Sequence, residues 1–303
     1  MEKNIVNFEK YLNIERNYSN YTIKNYLIDI TEFIAYCNNF NKNYLNIKYT
    51  DIKYTDIKSY LTHLYEKKYK STTISRKISA LRTFYAFLYD KNIVDKNVFE
   101  YITLPKKEKR LPKYLSNDDI DEIFKIIDIS TPLGIRNRLI LELLYGSGLR
   151  VSELCNIKLS DIDFSNKSIR IIGKGKKERI VYYGEPCKRI IDLYLNGTRD
   201  EILGKNKNEY LIIGNKKSNK SLSVRSVELI LNNIIESTSL NKKASPHTLR
   251  HTFATHLLND GCDILIVKEL LGHSSLDTTG IYTHISNERL RKVYLNNHPR
   301  AKK

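Results

Sequence analysis

The sequence lacks tryptophan entirely and holds one methionine, six prolines, twelve glycines and four cysteines in 303 residues. So few prolines and glycines leave little room for disorder. Cys37, Cys155, Cys187 and Cys262 are scattered without CxxC spacing. They read as buried or idle thiols in a reducing cytoplasm, not as a disulfide frame or a zinc site. Long hydrophobic runs are missing too. The run at 139–145 is among the longest and contains Glu142, far short of the ~18–20 residues of a transmembrane helix. The first ten residues, MEKNIVNFEK, have no apolar signal core. The expectation is a cytoplasmic, nucleoid-associated protein with no membrane partner.

Acidic residues are in deficit. Lys plus Arg number 51 against 34 Asp plus Glu, a formal net charge of +17, which draws a chain towards polyanions. The 29 asparagines and 22 tyrosines suggest an AT-rich coding sequence that favours Lys codons, so part of the surplus is compositional. Residues 1–110 carry 20 basic and 12 acidic side chains, net +8, and the remainder 31 and 22, net +9. Neither half is a charged tail. At ~150 residues per domain the length predicts about two domains, here 1–104 and 114–303. The linker 105–113 is bounded by Pro105 and Pro112 and carries Lys106, Lys107, Lys109 and Arg110.

The first domain reads as a helical bundle. A helix around 8–14 is followed by apolar stripes at helical spacing: Ile23, Tyr26, Leu27, Ile30, Phe33, Ile34; then Ile57, Tyr60, Leu61, Leu64, Tyr65; then Ile74, Ile78, Leu81, Tyr85, Leu88. Ser19, Thr55 and Ser71 open these helices. The third carries Arg76, Lys77 and Arg82 on its other face, either a DNA-groove contact or a solvated basic face. The tandem YTDIK at 49–58 is a local duplication, not a solenoid repeat. The second domain reads as α+β. Helices are predicted from Ser116 to about 128, over 136–145, and near 185–196, 223–236, 246–259 and 263–271. Strands are predicted at 168–172 and 179–183, joined as a hairpin by Gly173-Lys174-Gly175-Lys176-Lys177, with a further short strand at 210–213. Arg225, at the start of the 223–236 helix, is a further DNA-contact candidate.

Six of seven histidines lie between 247 and 298. Ser245 and Pro246 open a helix that places His247 and Arg250 three apart on one face of its N-terminus. That is either an anion site or a capped helix with polar surface residues. A zinc pair of His247 and His251 lacks an intervening Glu and matching ligands, and a two-magnesium nuclease would want clustered carboxylates. No metal and no cofactor is expected. Upstream, GSGLRVSEL sets Arg150 after a Gly-rich turn with Glu153 three residues on to orient it.

Arg150, Lys174 at the hairpin tip, His247-x-x-Arg250, His273 in LGHSS and Tyr282 in TTGIYTH together resemble the tyrosine site-specific recombinases of the phage-integrase family. Order, spacing and the HPRAKK tail resemble the Xer-type members, and the resemblance covers almost the whole chain. It implies a SAM-like helical core-binding domain followed by a catalytic domain. It also implies a Tyr282 nucleophile forming a 3′-phosphotyrosyl link, with Arg150 and Arg250 on the phosphate and Lys174 as general acid. His247 would be the base, His273 a phosphate hydrogen-bond donor, and Glu153 the support of Arg150. Partners implied are duplex DNA at a specific site, three further protomers (identical or a paralogue) and a DNA translocase.

The duty expected is resolution of chromosome or plasmid dimers in chromosome segregation and cell division, since the first helix starts near residue 4 with no extra N-terminal module. The alternative is a compact mobile-element integrase, and the rivals are a type IB topoisomerase and a non-catalytic DNA binder. A C-terminal helix near 287–294 offers Leu290, Val293 and Tyr294 as an apolar patch for a neighbouring protomer. Gly280, two residues before Tyr282 where related recombinases carry a larger residue, suggests a loosely docked nucleophile segment or simply a turn.

Overall fold

The computed structural model of the chain describes residues 2–40, 48–103, 114–173, 178–214, 220–240, 242, 244–272 and 286–301. The chain divides into two compact units, Met1–Arg110 and Leu111–Lys303. The expected linker 105–113 lies outside the described residues.

The first unit is helical: α1 (Glu2–Ile14), α2 (Asn20–Phe40), α3 (Tyr54–Glu66) and α4 (Ser71–Asp90). Ser19 accepts the Thr22 N–H at 3.2 Å, so α2 starts where its cap predicts. The α4 stripe Ile74, Ile78, Leu81, Tyr85 and Leu88 is wholly buried, as are Ile23, Ile30 and Phe33 of α2. Aromatic rings add to this core. Phe8 lies edge-on to Phe84 with centroids 5.0 Å apart, and Phe33 to Phe99 at 5.4 Å. Each such pair adds about 0.5–1.5 kcal/mol beyond area burial. Tyr65, expected on the α3 stripe, is 49% exposed.

The second unit is α+β. Its elements are α5 (Asn117–Lys125), α6 (Pro132–Gly146), α7 (Val151–Asn156), β1 (Ile162–Asp163), β2 (Ser168–Ile172), β3 (Glu178–Tyr182), α8 (Glu185–Leu193), α9 (Arg199–Leu203), α10 (Val224–Glu236), α11 (Pro246–Asn259), α12 (Ile264–Leu271) and α13 (Asn287–Asn297). The sheet runs β1-β2-β3, antiparallel throughout. Ser168 pairs with Tyr182 and Ile172 with Glu178, the hairpin expected from alternation.

Several boundaries differ from expectation. α6 begins four residues earlier than predicted because Thr131 accepts the Gly134 N–H at 3.1 Å and Pro132 fills the first turn. Residues 210–213 form no strand; only the bridges Lys158–Tyr210 and Ile213–Ser221 occur there. β1 is too short for periodicity to register. The helix expected over 185–196 ends at Leu193, where a wide turn through Gly197 (φ 101°) redirects the chain into α9.

A further correction concerns α13. Leu290 and Tyr294 are 5% and 1% exposed, packed with Tyr182, Phe253, Leu257 and Leu270 of their own unit, and Val293 lies against the same cluster. The patch expected to seek a neighbouring protomer is therefore covered within the chain. Apolar spacing marks the face that must be buried, and the nearest matching surface is intramolecular.

Candidate functional site: an arginine cluster on one carboxylate

The site is built where α6 hands over to α7. Gly148 has φ +60°, and a Cβ there would lie 2.5 Å from the Phe253 ring, so only glycine makes this turn. The turn delivers Arg150 as the residue capping α7. Glu153 accepts the Arg150 backbone N–H through Oε2 at 2.9 Å and the Arg150 Nη1 through Oε1 at 2.8 Å. Glu153 thus holds both the backbone and the side chain of Arg150. Arg150 also donates Nη2 to the Gly272 carbonyl at 3.2 Å. Its side chain remains 41% exposed, whereas Glu153 is 5% exposed.

Arg250 reaches the same place from α11. Ser245 accepts the Thr248 N–H at 3.2 Å and Pro246 occupies the first turn, which starts the helix as predicted and buries Arg250. Its Nη1 donates to the Gly148 carbonyl and its Nη2 to the Leu271 carbonyl, and it lies 4.0 Å from Glu153 Oε2. Burial first, then the positive neighbours Arg150 and Arg179, brings its pKa down to about 10. It stays charged at neutral pH. His247 is exposed in the first turn of α11.

Sequence reasoning missed a third guanidinium. Arg179, on β3, forks onto Glu153 with Nη1–Oε1 and Nη2–Oε2 both 2.8 Å. Burial works to raise the Glu153 pKa, but the Arg179 fork and the Arg150 bonds outweigh it and hold it at about 2. Alternation marked Arg179 only as a strand residue. Its partner is 26 positions away, beyond any local signal.

Three arginines around one carboxylate leave a net charge of +2. Of the five N–H donors of a guanidinium, Arg150 commits two among the described residues. The side chain stays partly exposed, so its planar fork keeps donors suited to two nonbridging oxygens of a phosphate. Lys174, His273, Gly280 and Tyr282 lie outside the described residues.

The candidate DNA contacts divide. Arg225 is exposed at the start of α10. Arg76 is 39% exposed and ion-paired with Asp29. Lys77 corrects the sequence reading: it is 3% exposed, its ammonium held by the buried Asp29 and by Glu32. Arg82 is likewise turned inward, donating to the Phe99 and Ile102 carbonyls at 3.0 and 2.7 Å. A basic helix face is legible in sequence, but the distant groups that consume its charge are not. His256 is also structural, joined to Tyr145 Oη at 2.8 Å and the Leu115 carbonyl at 2.9 Å. Among the described residues no cluster of metal-ligating side chains occurs, and no helix is long and apolar enough to cross a membrane.

Comparison with known proteins adds a second line. Residues 113–289 match the phage integrase family, and residues 5–92 match the phage integrase N-terminal SAM-like domain. The chain is 44% identical to the tyrosine recombinase XerC of Anoxybacillus flavithermus, over 97% of each protein. It is 42% identical to that of Bacillus subtilis, over 99% of this chain and 98% of the relative. Among solved structures, XerH recombinase bound to a palindromic difH substrate after cleavage is 26% identical, covering 96% of this chain and 84% of that one, with a TM-score of 0.68. A lambda integrase dimer on a COC′ core site shares the fold at 20% identity, covering 95% and 99%, with a TM-score of 0.68.

Proposed function

The chain belongs to the phage integrase family of tyrosine recombinases, and on that premise we propose that it exchanges DNA strands at a specific site through Tyr282, with Arg150 and Arg250 holding the scissile phosphate. The single observation that carries the reading is the arginine cluster on Glu153, in which Arg150 stays partly exposed with uncommitted donors on a permanently charged fork. Tyr282 Oη attacks phosphorus, the bond to the 5′-oxygen breaks, and a 3′-phosphotyrosyl link forms. His247 accepts the tyrosine proton and Lys174 gives one to the departing 5′-oxygen. His273 donates a hydrogen bond to a nonbridging oxygen. Attack by a 5′-hydroxyl of the partner duplex reverses these steps.

A phenol has a pKa of about 10, so the nucleophile needs that base. The negative charge that builds on the nonbridging oxygens is what Arg150 and Arg250 stabilise. The phosphotyrosyl bond conserves the energy of the phosphodiester, so the two steps are near-isoenergetic and need neither ATP nor metal.

Four protomers, of this chain alone or with a paralogue, would pair two sites on duplex DNA, with a DNA translocase as activator. The XerC relatives support resolution of chromosome or plasmid dimers as the duty, in the cytoplasm at the nucleoid. Domains at 1–104 and 114–303, joined by the basic linker 105–113, would grip the duplex together, with Arg76 and Arg225 as contacts.

The test is covalent trapping on nicked genomic fragments of the source organism, where loss of the short cleaved strand strands the adduct. Protein-linked DNA is recovered after denaturation and its junctions sequenced, with Tyr282→Phe alongside. Adducts at one sequence, absent from the variant, are expected. Scattered adducts would mean a topoisomerase-like enzyme, and tight site-specific binding with no adduct a non-cutting DNA binder.

A further inference from the structure

We infer that Arg179 is a positioning residue for strand cleavage: by gripping both oxygens of Glu153 it leaves Arg150 free to turn its donors on the phosphate. The inference rests on the reading of Arg150 as a phosphate clamp.

Glu153 has two oxygens and three guanidinium claimants. An arginine beside an unoccupied carboxylate takes it as a two-pronged fork. Arg179 occupies that arrangement, with one N–H on each oxygen at 2.8 Å. Arg150 is thereby restricted to a single side-chain N–H on Oε1, its second contact going to the Gly272 carbonyl. Without Arg179, Glu153 would swing to chelate Arg150, hiding donors and neutralising the charge that the phosphate needs. Arg179 does not substitute for Arg150 at the phosphate, because both its terminal nitrogens are already on Glu153 and its side chain is only 13% exposed.

The surroundings hold Arg179 in this role. Gly272 closes α12 with φ +63°, and a Cβ there would lie 2.8 Å from Arg179 Cδ and 3.0 Å from Nε. The bare glycine backbone is the surface across which the arginine lies, and its carbonyl is the one that accepts from Arg150. Arg179 also stands opposite Ile171 in the β2–β3 pair, five residues after Lys174 in the sequence. One side chain thus ties together the hairpin, the Arg150 turn and the end of α12.

The test measures single-turnover adduct formation on a nicked duplex carrying the site recovered by trapping. The variants are Arg179→Lys, Gly272→Ala, Arg150→Ala, Glu153→Gln and the pair Arg179→Lys/Glu153→Gln. DNA affinity should hold for Arg179→Lys while the cleavage rate falls at least about tenfold, the scale for removing a partner that orients a functional group. Lysine keeps the charge but cannot span both oxygens. In the Glu153→Gln background Arg179→Lys should cause no further loss, which general destabilisation would not reproduce. Gly272→Ala should copy the defect from the other side, by displacing the arginine. Wild-type cleavage by Arg179→Lys beside an inactive Arg150→Ala would overturn the inference and leave the site intact. Additive losses in the pair would also overturn it. Wild-type cleavage by Arg150→Ala would bring down the phosphate-clamp reading itself.

Discussion

His298 makes the stability of the C-terminal unit depend on pH. Its ring has no exposure and packs among Tyr294, Phe253 and Tyr145, with centroids 5.5, 4.9 and 5.0 Å away. Nδ1 accepts the Arg300 backbone N–H at 3.2 Å, so the folded ring is neutral, and protonation would set one N–H against another. Burial foremost, then the charges of His256 and Arg300, holds the pKa at about 3, against about 6.5 for a free histidine.

The folded value is the lower one, so the unfolded chain takes up the proton first. The stabilisation is whole above about pH 6.5 and is lost as the pH falls towards about 3. One proton corresponds to about 1.4 kcal/mol per pH unit, so going from about pH 8 to about pH 5 removes about 2 kcal/mol. His256, also lowered chiefly by burial, adds with the same sign. Glu153, held at about 2, acts only below this window. Urea unfolding at stepped pH measures the slope, read by far-ultraviolet circular dichroism because the chain has no tryptophan. His298→Phe preserves the ring stack and removes the titration, so its slope should be shallower by about one proton between about pH 5 and 6.5. Equal slopes would refute the reasoning.

Three further outcomes follow from particular contacts. Gly184 has an ordinary backbone (φ −88°), yet a Cβ there would sit 2.0 Å from the Arg300 carbonyl oxygen. Gly184→Ala should dislodge Arg300 from the buried Glu142, leaving that carboxylate to Arg138. Denaturant unfolding should show a loss of about 3 kcal/mol, shrinking to about 0.5 kcal/mol or less in a chain ending at residue 297. Lys77→Met should cost the N-terminal unit about 3 kcal/mol by stranding Asp29 with Arg76 alone. The salt dependence of DNA binding should not change, whereas a shallower slope would restore Lys77 as a phosphate contact. Gly148→Ala combines a left-handed backbone, about 1–2 kcal/mol, with overpacking against Phe253, about 1–3 kcal/mol. Because Gly148 supports Arg250, adduct formation should fall even well below the unfolding temperature; full cleavage there would break that link.

The local elements are legible along the chain. Ser19, Ser116 and Ser245 cap helices through bonds made within three residues, and alternation placed the β2–β3 hairpin. The family, too, was legible, because its signature is residue types in a fixed order along the chain. Arg150 and Glu153 could be paired in advance since they are one helical turn apart. What those residues meet is set by the packing of distant elements. Arg179 and Glu153 are brought together across 26 positions, Lys77 and Asp29 across 48, and Arg250 and Gly148 across 102. Periodicity states which face of an element is apolar, but it carries no information about which distant carboxylate or carbonyl completes a buried charge. That is why the basic face of α4 read as a DNA contact or a solvated face and proved to be partly an internal ion cluster. It is also why the apolar face of α13 promised a neighbour and found its own unit.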